Sequence, residues 1–381
     1  MKKPEQPLPS LGLLSELTDR HVLEQLLTAD GLTRAQLAQQ TGISKPTISE
    51  SVRRLVDAGT VADSGERTSG RGPAGALYRI RDDVGSALAV SVGPDGVLVE
   101  VVDVRGRPVH SSRRPVAVPV SAAALEPRLI EDLDRAVTVA HGPLIAAAVS
   151  LAGPVDQRSG RLIHLPNSPF LTDELDARRL LLAHLPTGIQ VEIDNDVNWA
   201  AVAEHDQGHA RDLGDYFFCY LGAGLGGAIT VGGELLRGHR GFAGEIAHVR
   251  TRGPGGRTLR LVECFEGWEL FQPHTDAIDV PRVQSVLAGG TAADRRLRTA
   301  ISRSVAIALA SIVALLNPGG IVLGGPWGGE PAFVALVRAE FRQLSAVEIE
   351  IRPAAIGAEA PLIGARVFAL DCARQILTGR R

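Results

Sequence analysis

The chain has 381 residues and is 45% hydrophobic, too long for one ordinary domain and enough for two or three that each bury a core. With 40 Lys and Arg against 43 Asp and Glu, it is not globally basic, so any nucleic-acid contact must come from a local patch. Cys219, Cys264 and Cys372 are scattered without a CxxC pair, which excludes a disulfide framework or a cysteine-rich zinc site and fits a reducing cytoplasm.

The first dozen residues are proline-rich and are expected to form a mobile tail. Pro7, Pro9, Ser10 and Glu16 interrupt the early apolar residues, and no later uninterrupted apolar span of membrane length is evident, so neither export nor a membrane span is expected. Val22, Leu23, Leu26 and Leu27 repeat at helical spacing. Thr33 with Gln36 three residues on forms a capping box for a short helix that ends at Gly42. Ser44 opens a further helix with Pro46 in its first turn, and Ile48, Val52 and Leu55 mark its buried face. The opposite face carries Lys45, Thr47, Ser49, Glu50 and Arg53, and the helix stops at Asp57-Ala58-Gly59. Val61, the segment Gly65 to Pro73 and Leu77 to Ile80 read as a hairpin with a basic tip. Together these elements predict a winged helix-turn-helix over residues 1–82, with Ser44, Lys45, Pro46, Thr47, Ser49, Glu50, Arg53 and Arg71 as the DNA contacts. The plainer alternative is a small helical bundle with one polar helix.

From Gly85 onward the chain turns to valine-rich runs, Ala87–Val92, Val97–Val104 and Val109–Val120, the first two joined by a turn at Gly93 to Gly96. A helix over Ala122–Val139 and a strand over Leu144–Leu151 follow. Asp194-Asn195-Asp196-Val197-Asn198 precedes a helical run from Trp199 to Glu204. Two apparent strands, Tyr216–Leu221 and Ala228–Val231, flank Gly222-Ala223-Gly224-Leu225-Gly226-Gly227. That turn formally satisfies GxGxxG, but a dinucleotide fingerprint needs a helix after it. Glu245 and His248 stand three apart, on one face if helical. Beyond Pro281 the chain is mostly helical: Ile301–Leu316 closes at Asn317-Pro318-Gly319-Gly320, a strand at Ile321 to Leu323 ends in Gly324-Gly325-Pro326, and a last helix covers 364–377.

Short acceptor and amide side chains bunched around a glycine-dense hairpin suit a ligand with many hydroxyls, because each hydroxyl needs a partner once water is excluded. The series DNDVN, YLGAGLGGAITVGG, GFAGEIAH and LLNPGGIVLGGP resembles the ROK family of bacterial sugar kinases, open reading frames and sugar-responsive repressors, over most of the chain. The N-terminal LTRAQLAQQTGISKPTISESVRRLVDAGTV is similar to the DNA-binding domain of the family's repressors, which its kinases lack. The resemblance implies an α/β chain: the winged helix-turn-helix, then a two-lobed actin-like (ribonuclease H-like) sugar-binding domain. The first lobe would span 83–198, joined by a C-terminal helix at 364–381, and the second 199–363.

The same resemblance implies sugar contacts at Asn167, Asn195, Asp196, Glu245, His248 and Glu263. In the family's kinases the residue at Asp196 is the base that deprotonates a sugar hydroxyl; read without the family, it is equally an Asx turn or helix N-cap. The kinases' phosphate loops have an aspartate where this chain has Ser91 and a threonine where it has Ala223, which removes two side-chain ligands of a metal-bound nucleotide. Three cysteines that hold zinc in relatives, with a histidine matching His248, correspond to Pro254, Gly256 and Leu261, so no metal and no cofactor are expected. The expected function is a cytoplasmic, non-enzymatic repressor, homodimeric or of higher order, that binds a double-stranded DNA operator and a sugar effector. The rival is a sugar kinase with an appended DNA-binding domain; a third reading is a sugar-binding protein with no DNA role.

Overall fold

The computed structural model describes residues 11–67, 75–163 and 170–379. The expected tail therefore lies outside it as far as Ser10, while Leu11 and Gly12 already belong to the first helix. That helix, α1 (Leu11–Thr28), is followed by β1 (Leu32–Thr33), α2 (Arg34–Thr41), α3 (Lys45–Asp57), β2 (Val61–Arg67) and β3 (Ala76–Ile80). The three strands form one antiparallel sheet in the order β1-β3-β2. Thr33 and Gln36 make the capping box and Gly42 takes the left-handed C-cap. Asp19 on α1 ties the helices together, accepting from Ser51 Oγ at 2.5 Å and from Arg54 Nη2 at 2.6 Å on α3.

The first lobe is built on β4 (Ser86–Gly93), β5 (Gly96–Asp103), β6 (Pro108–Arg114), α4 (Ala122–Val139), β7 (Leu144–Leu151), the small β8 (Val155–Asp156) and β9 (Arg161–Leu162), α5 (Ala177–His184) and β10 (Gln190–Asn195). Its sheet runs β10-β7-β4-β5-β6, with β10, β7 and β4 parallel and the β4-β5-β6 meander antiparallel. The expected run Val109–Val120 is a strand only to Arg114; Pro115 and Pro119 lack the N–H that a longer ladder would require.

Helix α6 (Asp196–Gln207) crosses to the second lobe: β11 (Tyr216–Leu221), β12 (Leu225–Val231), β13 (Glu234–Leu235), β14 (Arg250–Arg252), β15 (Thr258–Arg260), α7 (Leu261–Gly267), α8 (Val280–Ala288), α9 (Ala292–Leu316), β16 (Gly320–Gly324), α10 (Pro331–Leu344) and β17 (Glu350–Pro353). The main sheet there runs β13-β12-β11-β16-β17, again mixed. Helix α9 is long and apolar enough by length and composition to cross a bilayer, which the sequence reading had not expected. In this fold it packs against α7, α8, α10 and β14 with Ile301, Val305, Leu309 and Val313 in the lobe's core.

The last helix, α11 (Ala360–Thr378), begins four residues earlier than its pattern suggested and returns to the first lobe, lying on α6, β4 and β7. It also meets α1, and one apolar cluster joins Leu26, Ile48 and Ile80 of the winged domain with Ala89 and Val102 of the first lobe and Ala369 of α11. The winged domain is thereby seated on the first lobe through a shared core.

Candidate ligand cavity and nucleic-acid interface

Between the lobes lies a cavity of about 460 Å³. Its floor is the β10–α6 junction. Asn195 caps α6, its Oδ1 accepting from Val197 N at 2.8 Å while its Nδ2 donates to the Gly153 carbonyl at 2.8 Å. Asp196 is thus the first helical residue rather than the cap, and its carboxylate also accepts from Val197 N, at 3.0 Å. Burial pushes the Asp196 carboxyl up to about 7, with the nearby Glu245 charge adding to the rise. Burial likewise raises Glu245. Two carboxylates facing one cavity, each short of water, can accept ligand hydroxyls in place of solvent.

Glu245 precedes, and His248 ends, a single 3-10 turn, Ile246–His248. At three residues per turn the two side chains still share a face, and both line the cavity, His248 from its exposed rim. Glu263 does not line it. Its Oε2 accepts from Arg260 N at 2.7 Å and its Oε1 from Arg260 Nε at 2.9 Å, and this guanidinium holds the carboxyl below its usual range. Arg260 and Val262 take the place at the cavity wall. Asn167 and Arg71 lie outside the described residues.

Sequence reasoning missed Tyr220, Asp276 and Arg260, which also line the cavity. Tyr220 sits against Gly222, where a Cβ would come within 2.7 Å of its ring, and burial raises its phenol, with the Asp196 charge contributing. The glycine turn itself is spoken for by packing: a Cβ on Gly226 would stand 2.8 Å from Val197 of α6. On the turn's other side, buried Trp327 donates its indole N–H to the Gly222 carbonyl at 3.0 Å, and Ile278 N donates to the Ala223 carbonyl at 2.9 Å. Pro254 and Gly256 form a 3-10 turn closing the β14–β15 hairpin, and Leu261 is buried at the start of α7. Among the described residues no group of three His, Cys, Asp or Glu side chains could hold a metal.

On the winged domain, Ser44 caps α3 by accepting from Thr47 N, and its hydroxyl meets the Thr47 hydroxyl at 2.8 Å. Ser44, Lys45, Pro46 and Thr47 are exposed at the helix start, where the helix dipole favours anions. Ser49 is half-buried. Glu50 and Arg53 are exposed and paired with each other at 2.5 and 3.2 Å, so Arg53 must exchange an internal carboxylate for any phosphate it meets.

Residues 87–267 match the ROK family and residues 16–62 the winged helix-turn-helix DNA-binding family. The bifunctional enzyme NanE/NanK of Brucella melitensis is 32% identical over 222 residues, 57% of this chain and 42% of that protein. This chain thus spans less than half of that relative. The xylose repressor of Caldicellulosiruptor bescii is 23% identical over 341 residues, 82% of this chain and 84% of its own. Among solved structures, a ROK family transcriptional regulator homologous to the E. coli MLC protein aligns over 96% of this chain and 98% of its own, with a TM-score of 0.66 at 17% identity; that likeness speaks to the fold. A winged helix-turn-helix thus stands ahead of a two-lobed α/β region, and this chain carries a ROK family domain at residues 87–267.

Proposed function

We propose that the protein is a DNA-binding repressor whose operator affinity is set by a sugar or sugar derivative held between the lobes. The observation that carries this reading is the pairing of an exposed, capped α3 with a cavity lined by Asn195, Asp196, Glu245 and His248. A dimer would present two α3 helices to the half-sites of a palindrome, and a ligand that prefers one lobe arrangement would shift their fit. The xylose repressor supplies the starting effector chemistry, with pentoses and hexoses as the probe set.

The rival kinase reading draws on Asp196, whose carboxyl near neutrality suits a base. Against it stand Ser91 and Ala223, which leave the phosphate loops without two side-chain ligands. We therefore assign Asp196 to sensing and not to catalysis.

Gel shifts with fragments from the source genome test the proposal, with D-xylose and D-glucose among a panel of sugars. A preferred palindromic fragment is expected, bound less tightly as salt rises and less tightly by Lys45→Ala, since the ammonium displaces counterions from phosphate. At least one sugar should change the affinity. No preferred fragment at any salt would sink the repressor reading, and sugar-dependent ATP consumption on the order of 1 per second would put the kinase reading first.

A further inference from the structure

We propose that Arg237 is a positioning residue that clasps the two lobes over the cavity by acting through Asp194. Arg237 follows β13, so its backbone belongs to the second lobe. Its Nε donates to Asp194 Oδ2 at 2.6 Å, and its Nη2 lies 3.4 Å from Glu192 Oε1; both carboxylates belong to β10 of the first lobe. Asp194 is 1% exposed. Its other oxygen, Oδ1, accepts from Asn195 N at 2.7 Å, Asn198 Nδ2 at 2.7 Å and Gln157 Nε2 at 3.4 Å. One buried carboxylate therefore holds both the first turn of α6, from which Asp196 faces the cavity, and the loop that leaves β13.

The same loop touches the first lobe at a second place. Gly241 has φ of +82° and lies so close to β8 that a Cβ would stand 2.3 Å from the Val155 carbonyl oxygen. Ala243 N donates to the Arg237 carbonyl at 3.2 Å and closes the loop into a compact turn. Gly241, Ala243 and Glu245, all on or just beyond this loop, line the cavity. A buried ion pair adds little net stability, because desolvation offsets its attraction, but leaving one partner alone is costly. The pair thus selects one lobe alignment: opening the cleft strands Asp194 without its cation and withdraws Glu245 from Asp196. The consequence for effector affinity rests on the sugar-sensing reading above; the clasp itself does not.

The test needs no ligand. The three cysteines are buried, so Leu182→Cys on α5 and Ser285→Cys on α8, both at exposed positions, give one spin-label site on each lobe of the full chain. The doubly labelled protein should show one narrow interlobe distance distribution. Arg237→Met should broaden it and lengthen its mean, and Arg237→Lys, which keeps the cation, should bring it back toward the starting width. Asp194→Asn should broaden it as well, and adding Arg237→Met to Asp194→Asn should change little more, since both remove one contact. Arg237→Gln carries the same expectation should the methionine variant not fold. An unchanged distribution in the Arg237 variants, a lysine variant as broad as the neutral one, or additive broadening in the double variant would each overturn the clasp. A failure of the sugar reading would show instead as wild type unmoved by every sugar, with these distances as expected.

Discussion

The fold carries the Asp196 carboxyl into the neutral pH range. Its carboxyl, ordinarily at 3.8, is raised to about 7 by burial and by Glu245, so near neutral pH it exchanges its proton easily. Sugar hydroxyls donate to the ionised form, so binding favours ionisation and affinity should rise as pH passes from about 6 to about 8. Asp196→Asn should abolish that pH step and weaken binding at pH 8 about ten-fold or more, from the loss of about 1.5–3 kcal/mol of charge-assisted hydrogen bonding. Titration calorimetry with a responding sugar at the two pH values checks both. The stability sign runs the other way: the native state keeps this proton to higher pH than the unfolded chain does, so the group's contribution is present at acid pH and is lost as pH rises through about 7. Affinity that falls with rising pH in wild type, or a pH step that persists in Asp196→Asn, would remove Asp196 from the sensing role.

At the scale of elements, α3 shows how a local signal becomes a site. Ser44 accepts from Thr47 N and Pro46 stands in the first turn, where its missing N–H costs nothing. Ser44→Ala should lower the stability of the winged domain by about 1 kcal/mol, read as an earlier thermal transition by circular dichroism, and should weaken DNA binding through a frayed helix start. An unchanged melt would mean that the cap adds nothing here. Such caps were legible because their partners lie close in sequence: Thr33 with Gln36 forms the expected capping box, and Ser44 opens the expected helix, accepting from Thr47 N. The hairpin at Gly93 to Gly96 and the bounds of β4, β5 and β7, to within a residue at each end, were legible from local pattern as well. At the cavity, local spacing ran out. Asp196 and Asn195 are equally good caps on paper, and only the Gly153 carbonyl, 42 residues away, fixes Asn195 in that place. Glu263 is a candidate ligand only through the family resemblance; its bonds to Arg260, three residues back, instead close a capping box at the start of α7. Tyr220, Asp276 and Trp327 reach the cavity or its glycine turn through tertiary contacts that no spacing encodes.

For the whole molecule, sensing requires a physical link between the cavity and the winged domain, and α11 supplies one: it lies on α6, which floors the cavity, and it meets α1. Near its start, Gly364 lies directly on α6, so close that a Cβ would stand 1.8 Å from the Trp199 carbonyl oxygen, and Phe368 meets the Trp199 ring at 5.1 Å between centroids. At its end, Arg20 of α1 donates from Nε to the Thr378 carbonyl at 3.1 Å and from Nη2 to the Gly379 carbonyl at 2.9 Å, satisfying carbonyls that a helix C-terminus leaves free. A shift of α6 on ligand binding would move α11, and α11 would carry it to α1 and, through Asp19, to α3. Two sites are coupled only as far as a common element has two arrangements that each ligand prefers differently. Arg20→Ala cuts that path between α11 and α1 without touching α3 or the cavity. Operator affinity in the absence of sugar and sugar affinity in the absence of DNA should both stay within about two-fold of wild type, a change of less than about 0.5 kcal/mol. The ratio of operator affinities with and without saturating sugar should fall toward one. Anisotropy titrations of labelled operator at zero and saturating sugar measure that ratio directly. An Arg20→Ala protein that keeps the full wild-type ratio would show that the signal does not pass through the end of α11.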